Sequence, residues 1–121
     1  MKNKTAVTAA ALVAGCAMSF RPVEPQPTSF ERDNPCNEAE PTQRAQPEYP
    51  ASAARVAQPG WVALQYDINA EGAVSNITVP SSSPPGVFED AARKALEQWR
   101  YRTEEPLTGC RILFTFRPPE S

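Results

Sequence analysis

From Val87 to Tyr101 the apolar residues Phe88, Ala91, Ala92, Ala95, Leu96 and Trp99 recur at the three- and four-residue spacing of one helix face, while Glu89, Asp90, Arg93, Lys94, Glu97 and Arg100 fill the other. Acid-then-base pairs four residues apart, Glu89 with Arg93 and Asp90 with Lys94, support an exposed polar side. The spacing predicts a long amphipathic helix over 87–101. Phe88, Leu96, Trp99 and Tyr101 are its expected core anchors, and rings of that size need a sheet to cover them.

The sheet is announced by a change of period from about 3.6 to 2. Trp61 to Asn69 alternates, with Val62, Leu64, Tyr66 and Ile68 on one face, and predicts a half-buried strand. Asn69 to Gly72 has the composition of a hairpin turn, and Ala73 to Val79 returns as a second strand. Val74 falls out of phase with Ile77 and Val79, which predicts a bulge near Ser75 or Asn76. Pro80 to Gly86, PSSSPPG, reads as the connection into the helix, and Thr103 to Gly109 as a polar turn. A third strand follows at Arg111 to Phe116, with Ile112, Phe114 and Phe116 sharing a face and Pro118 and Pro119 ending it. Upstream, Pro50 suits the first turn of a short helix over Ala51–Val56, closed by Gln58, Pro59 and Gly60. The fold these elements predict is α+β: a small three-stranded antiparallel sheet with one long amphipathic helix and one short N-terminal helix packed on one face.

Composition narrows the function. The 121 residues include 14 prolines, 3 cysteines and no histidine, with a formal net charge of -2. There is no basic stripe interleaved with aromatics, so nucleic acid is not an expected partner. Without histidine, neither a Ser-His-Asp or Cys-His catalytic arrangement nor an imidazole metal site can be built. No nucleophile and base stand in a recognisable constellation, so the chain reads as a non-enzyme with no cofactor and no metal.

At the start, Lys2 and Lys4 precede the short, largely apolar run Thr5 to Gly15, too short for an ordinary membrane helix and suited to a secretory signal. Val13, Ala14, Gly15 and Cys16 resemble the lipobox of bacterial lipoproteins. That resemblance implies removal of residues 1–15 and acylation of Cys16, with several acyl chains at about 0.8 kcal/mol per buried methylene anchoring the protein to a membrane. Ala17 after the cysteine, in place of aspartate, favours the outer membrane over the inner by the sorting rule of enteric lipoproteins. Residues 16–45 are rich in proline and poor in apolar side chains, the composition of an extended tether. With Cys16 acylated in an oxidising compartment, Cys36 and Cys110 are the remaining pair and are expected to form a disulfide. Closing a loop between positions 74 residues apart stabilises by roughly 4 kcal/mol in the chain-entropy account.

The folded part, 46–118, resembles the C-terminal domain of TonB, a periplasmic energy transducer that engages outer-membrane receptors. The matching stretches are QPEYP at 46–50, the glycine and alternating strand at Gly60 to Asn69, EGAVSNITV at 71–79, SSPPGVFEDAARKALEQWRY at 82–101 and RILFTF at 111–116. The resemblance implies that a TonB-box-like peptide of a receptor pairs with the edge of the last strand, here Arg111, Ile112, Leu113, Phe114, Thr115 and Phe116, by strand addition. It also implies receptor contact at Gln46 and Pro47. A full transducer carries a membrane helix with a functional histidine that docks on the ExbB and ExbD motor, and the sequence read here has no histidine and a lipid-type leader in that place.

The expectation is therefore a lipid-anchored protein on the periplasmic side of the envelope that binds an extended segment of an envelope partner. The competing expectation is a structural module that associates with itself through the same edge. Cys36, bonded at the head of the last strand, would bring its neighbours close to that edge and weaken the case for receptor pairing.

Overall fold

The computed structural model describes residues 21–118. The chain runs β1 (Glu40–Gln43), α1 (Ala51–Arg55), β2 (Gly60–Ile68), β3 (Val74–Ser83), α2 (Glu89–Glu97), β4 (Arg100–Arg102) and β5 (Leu107–Phe116). β2 is the central strand of an antiparallel sheet in the order β3-β2-β5, and β1 pairs with β4 in a separate two-stranded ribbon. Among the described residues no helix is long and apolar enough to cross a membrane.

The alternation of β2 sends Val62, Leu64, Tyr66 and Ile68 to one face, where they meet Phe88, Ala92 and Leu96 of the α2 region in a continuous core. Phe88 stacks on Phe116 with ring centroids 4.4 Å apart, and Tyr49 meets both rings edge-on. Gly60 allows this: a Cβ there would collide with the Phe88 ring and the Ser83 carbonyl. Farther along, Trp99 packs edge-on against Phe114, and its indole N–H donates to the Ala45 carbonyl at 3.0 Å.

The hairpin closes as its composition predicts. Asn69 accepts hydrogen bonds on its side chain from the N–H groups of Glu71 and Ala73, and Gly72 takes a positive φ of 85°. The out-of-phase Val74 is resolved by a register shift between Asp67↔Ser75 and Gln65↔Thr78, with Asn76 at φ 53° and its amide on Asp67.

Four expectations are corrected. α2 is nine residues long, not a helix over 87–101: Phe88 caps its start, Gln98 leaves it, and Tyr101 belongs to β4. Trp99 falls on the helical spacing, yet the chain turns there because Arg100–Arg102 pairs with β1 and the Tyr101 N–H bonds the Gly72 carbonyl. β3 continues through Pro80 to Ser83, where a loop was predicted. It is an edge strand with a second register shift between Ala63↔Ser81 and Gln65↔Thr78, so the missing proline N–H breaks no ladder. β5 begins at Leu107, inside the predicted polar turn. β2 is buried on both faces along its first half: Trp61 is 5% exposed and Ala63 0%, although both lie opposite the α2 side.

The burial of Trp61 has a specific cause. The proline-rich segment read as a tether lies against the domain from residue 21 onward. Its Glu24 carbonyl accepts the Trp61 indole N–H at 2.7 Å, and its Glu24 N–H donates to Ser83. Glu40–Gln43 of the same segment forms β1. The predicted signal segment 1–15 and Cys16 lie outside the described residues.

Candidate functional site

β5 forms one border of the sheet, and its two sets of main-chain groups have different fates. Even-numbered residues Cys110, Ile112, Phe114 and Phe116 turn their side chains toward the core, where Cys110 and Phe116 are buried and Ile112 and Phe114 half-buried. Arg111, Leu113 and Thr115 occupy the opposite face, level with Gln65, Ala63 and Trp61 of β2. In an antiparallel ladder alternate residues bond to alternate sides, so the N–H groups of 111 and 113 point away from β2.

Those two donors are satisfied by side chains. Arg111 N–H donates to Asn34 Oδ1 at 3.0 Å, and Leu113 N–H donates to the Glu31 carboxylate at 2.9 Å. The Arg111 side chain is held by the same segment: its guanidinium lies 5.5 Å from the Phe30 ring centroid and 3.9 Å from Asp33. Thr115 receives the Gln26 amide at 3.0 Å. Two residues past Asn34, Cys36 is disulfide-bonded to Cys110 at the head of this edge. The border strand is thus lined from Cys110 to Thr115 by residues 26–36.

Upstream, the same segment is held by groups with little freedom. Gln58, 2% exposed, accepts the Arg21 N–H at 2.7 Å and donates to the Arg21 carbonyl at 2.9 Å. The Gln58 carbonyl in turn accepts a hydrogen bond from the Tyr49 hydroxyl.

Gln46 and Pro47 stand elsewhere. Gln46 is exposed and lines a groove of about 640 Å³ with Glu48, Tyr49, Asp90, Lys94 and Gln98, beside α2 and not along β5. Its nearest link to β5 is indirect, through Tyr49, whose ring touches Phe116, and Ala45, whose carbonyl holds Trp99 against Phe114. The anchors Phe88, Leu96, Trp99 and Tyr101 are all buried.

Two ionisable features brace the strand ends. The hydroxyls of Tyr66 and Tyr101 lie 2.6 Å apart, and burial pushes both phenols above the ordinary tyrosine range. Glu89 opens α2: burial alone would raise its carboxyl, but hydrogen bonds from the Gly86 N–H and the Ser82 hydroxyl outweigh this and hold it below the ordinary glutamate value.

Glu31, Asn34, Gln58, Trp61 and Ser83 are the contacts that reading the sequence missed. Nothing periodic marks them, and the one signal that could have led to them is the pairing of Cys36 with Cys110.

A sheet of three strands with a helical layer on one face and a bordering C-terminal strand defines a small α+β domain. The sequence profile of the family described as Gram-negative bacterial TonB protein C-terminal matches residues 45–117, and the chain belongs to that family. It is similar to the TonB protein of Klebsiella pneumoniae, 34% identical over 74 residues, which are 61% of this chain and 30% of that protein. It is 32% identical to the TonB protein of Escherichia coli strain K12 over 74 residues, 61% of this chain and 31% of that protein. The chain thus spans less than a third of either relative. Among solved structures it is similar to the TonB2 protein of Vibrio anguillarum, with TM-score 0.57 and 26% identity over 83% of this chain and 99% of that one. The solution structure of the Pseudomonas aeruginosa TonB C-terminal domain shares the fold, with TM-score 0.60 and 22% identity over 69% of this chain and 90% of that one.

Proposed function

We propose that this protein is a periplasmic, lipid-anchored binding module that receives an extended segment of an outer-membrane or other envelope protein by strand addition along β5. The observation that carries the reading is the position of β5 at the sheet border, with the N–H groups of Arg111 and Leu113 turned away from β2 and held only by side chains. A partner strand would replace those side-chain acceptors with main-chain carbonyls, and main-chain pairing tolerates varied partner sequences. The family supports a role linked to envelope transport, and the Cys36–Cys110 bond suits an oxidising compartment. Cys16 is the proposed lipid attachment point, and the outer membrane the proposed location.

Titrating isotope-labelled protein with TonB-box peptides of outer-membrane receptors tests the binding edge. Resonance shifts concentrated in residues 111–116 are the expected result, and an unmoved β5 with every envelope peptide would overturn it. Cys16→Ser tests the anchor, since a protein that stays membrane-bound after this substitution is not held by lipid on Cys16.

A further inference from the structure

We infer that residues 21–34 are a built-in occupant of the sheet, a strap that fills the Trp61 face and the β5 edge and that an external strand must displace. The contacts are those of peptide recognition. The first half of the strap, 21–27, is free of turns and holds Pro22, Pro25 and Pro27, a composition that loses little conformational freedom on docking, while 28–33 folds into turns. An aromatic N–H, from Trp61, reads one of its carbonyls, and Gln58 reads both main-chain groups of Arg21. Aromatic platforms with a donor aimed at a peptide carbonyl are the usual means of gripping such segments.

The second half of the strap meets β5 differently. It does not add a strand; it offers single side-chain acceptors, Glu31 and Asn34, to the two outward N–H groups. A capped edge cannot template pairing with another chain, and natural proteins protect border strands in comparable ways. The disulfide to Cys110 pins the strap beside the edge, so the local concentration of its acceptors stays high and a partner competes against an intramolecular ligand.

The consequence for partner access rests on the strand-addition reading, whereas the strap contact does not, and the test separates them. In the full chain carrying Cys16→Ser, with the disulfide intact, amide hydrogen exchange is followed by NMR at Arg111 and Leu113. Glu31→Ala with Asn34→Ala should accelerate exchange at these two amides by about tenfold. Ile112 and Phe114, whose N–H groups point toward β2, should not change and serve as the check that the fold persists. Fast exchange at 111 and 113 in the parent chain, unaltered by the substitutions, overturns the strap. A synthetic TonB-box peptide should then bind the doubly substituted chain more tightly than the parent, and equal affinity overturns the competition. If exchange responds as expected and the peptide binds neither chain, the strap stands and strand addition falls.

Discussion

Phe88 stacks flat against Phe116, so the residue that caps the start of α2 is also the one that holds the C-terminal end of β5 to the core. Phe88 is 1% exposed and Phe116 4%. Phe88→Ala should cost about 3–5 kcal/mol, since a buried ring is lost and Gly60 and Tyr49 cannot close the space without moving backbone. Urea denaturation with Trp fluorescence measures this. A loss below about 1 kcal/mol would mean that the ring stack does not organise the core. Gly60→Ala should destabilise the same point from the other side, because its methyl group and the Phe88 ring compete for one volume.

The Tyr66 and Tyr101 hydroxyls form a closed pair between β2 and β4. Replacing either by Phe leaves a buried hydroxyl without its partner, at about 1–3 kcal/mol, while replacing both removes the need for a partner. The double variant should therefore lie closer to the parent than the two single losses predict, and a double-mutant cycle by chemical denaturation reads that difference. Strict additivity would show that the contact contributes nothing.

Removing the disulfide by Cys36→Ser with Cys110→Ser opens a loop of 74 residues. The expected loss is roughly 4 kcal/mol, visible as a lower urea midpoint under oxidising conditions. The parent protein in excess reductant should fall to a similar midpoint. An unchanged midpoint in both would place the unfolded-state constraint elsewhere.

Glu89 gives the stability a defined dependence on acid. Its folded-state pKa is depressed, so its contribution is fully present above the ordinary glutamate value and is lost as pH falls through the lower folded value. Glu89→Gln should be less stable than the parent near neutral pH, and the gap should narrow as the solution is acidified below the ordinary glutamate range. A constant gap across that range would exclude the carboxylate charge as the cause. Ser82→Ala should weaken the same dependence by removing one of the hydrogen bonds to Glu89.

The elements legible in the sequence were those governed by near neighbours. The alternation of β2, the Asn69–Gly72 hairpin, the bulge at Asn76 and the apolar face of α2 each depend on residues a few positions apart. The misread elements depend on distant ones. Trp99 fits a helix by spacing and leaves it because β1, more than fifty residues upstream, pairs with Arg100–Arg102. Pro80 reads as a loop residue until β3 is known to be a border strand. The candidate edge itself was legible in RILFTF, and the Cys36–Cys110 pairing pointed to a cover from the segment around Cys36, but not to the residues that supply it. Glu31 and Leu113 are 82 residues apart, and no local rule joins an acid in a proline-rich segment to an amide in a strand.

The link between Cys36 and Cys110 also decides how the molecule would carry tension. With the proposed anchor at Cys16, a pull from the membrane would enter through the strap and, once its contacts to Gln58, Trp61 and Ser83 are released, pass across two sulfur atoms into Cys110 of β5. Residues 37–109, which include the helices and four of the five strands, sit in a covalently closed loop off that line of force. A partner paired on β5 would then be loaded through that bond, and the rest of the domain would be strained only through the ladder between β5 and β2.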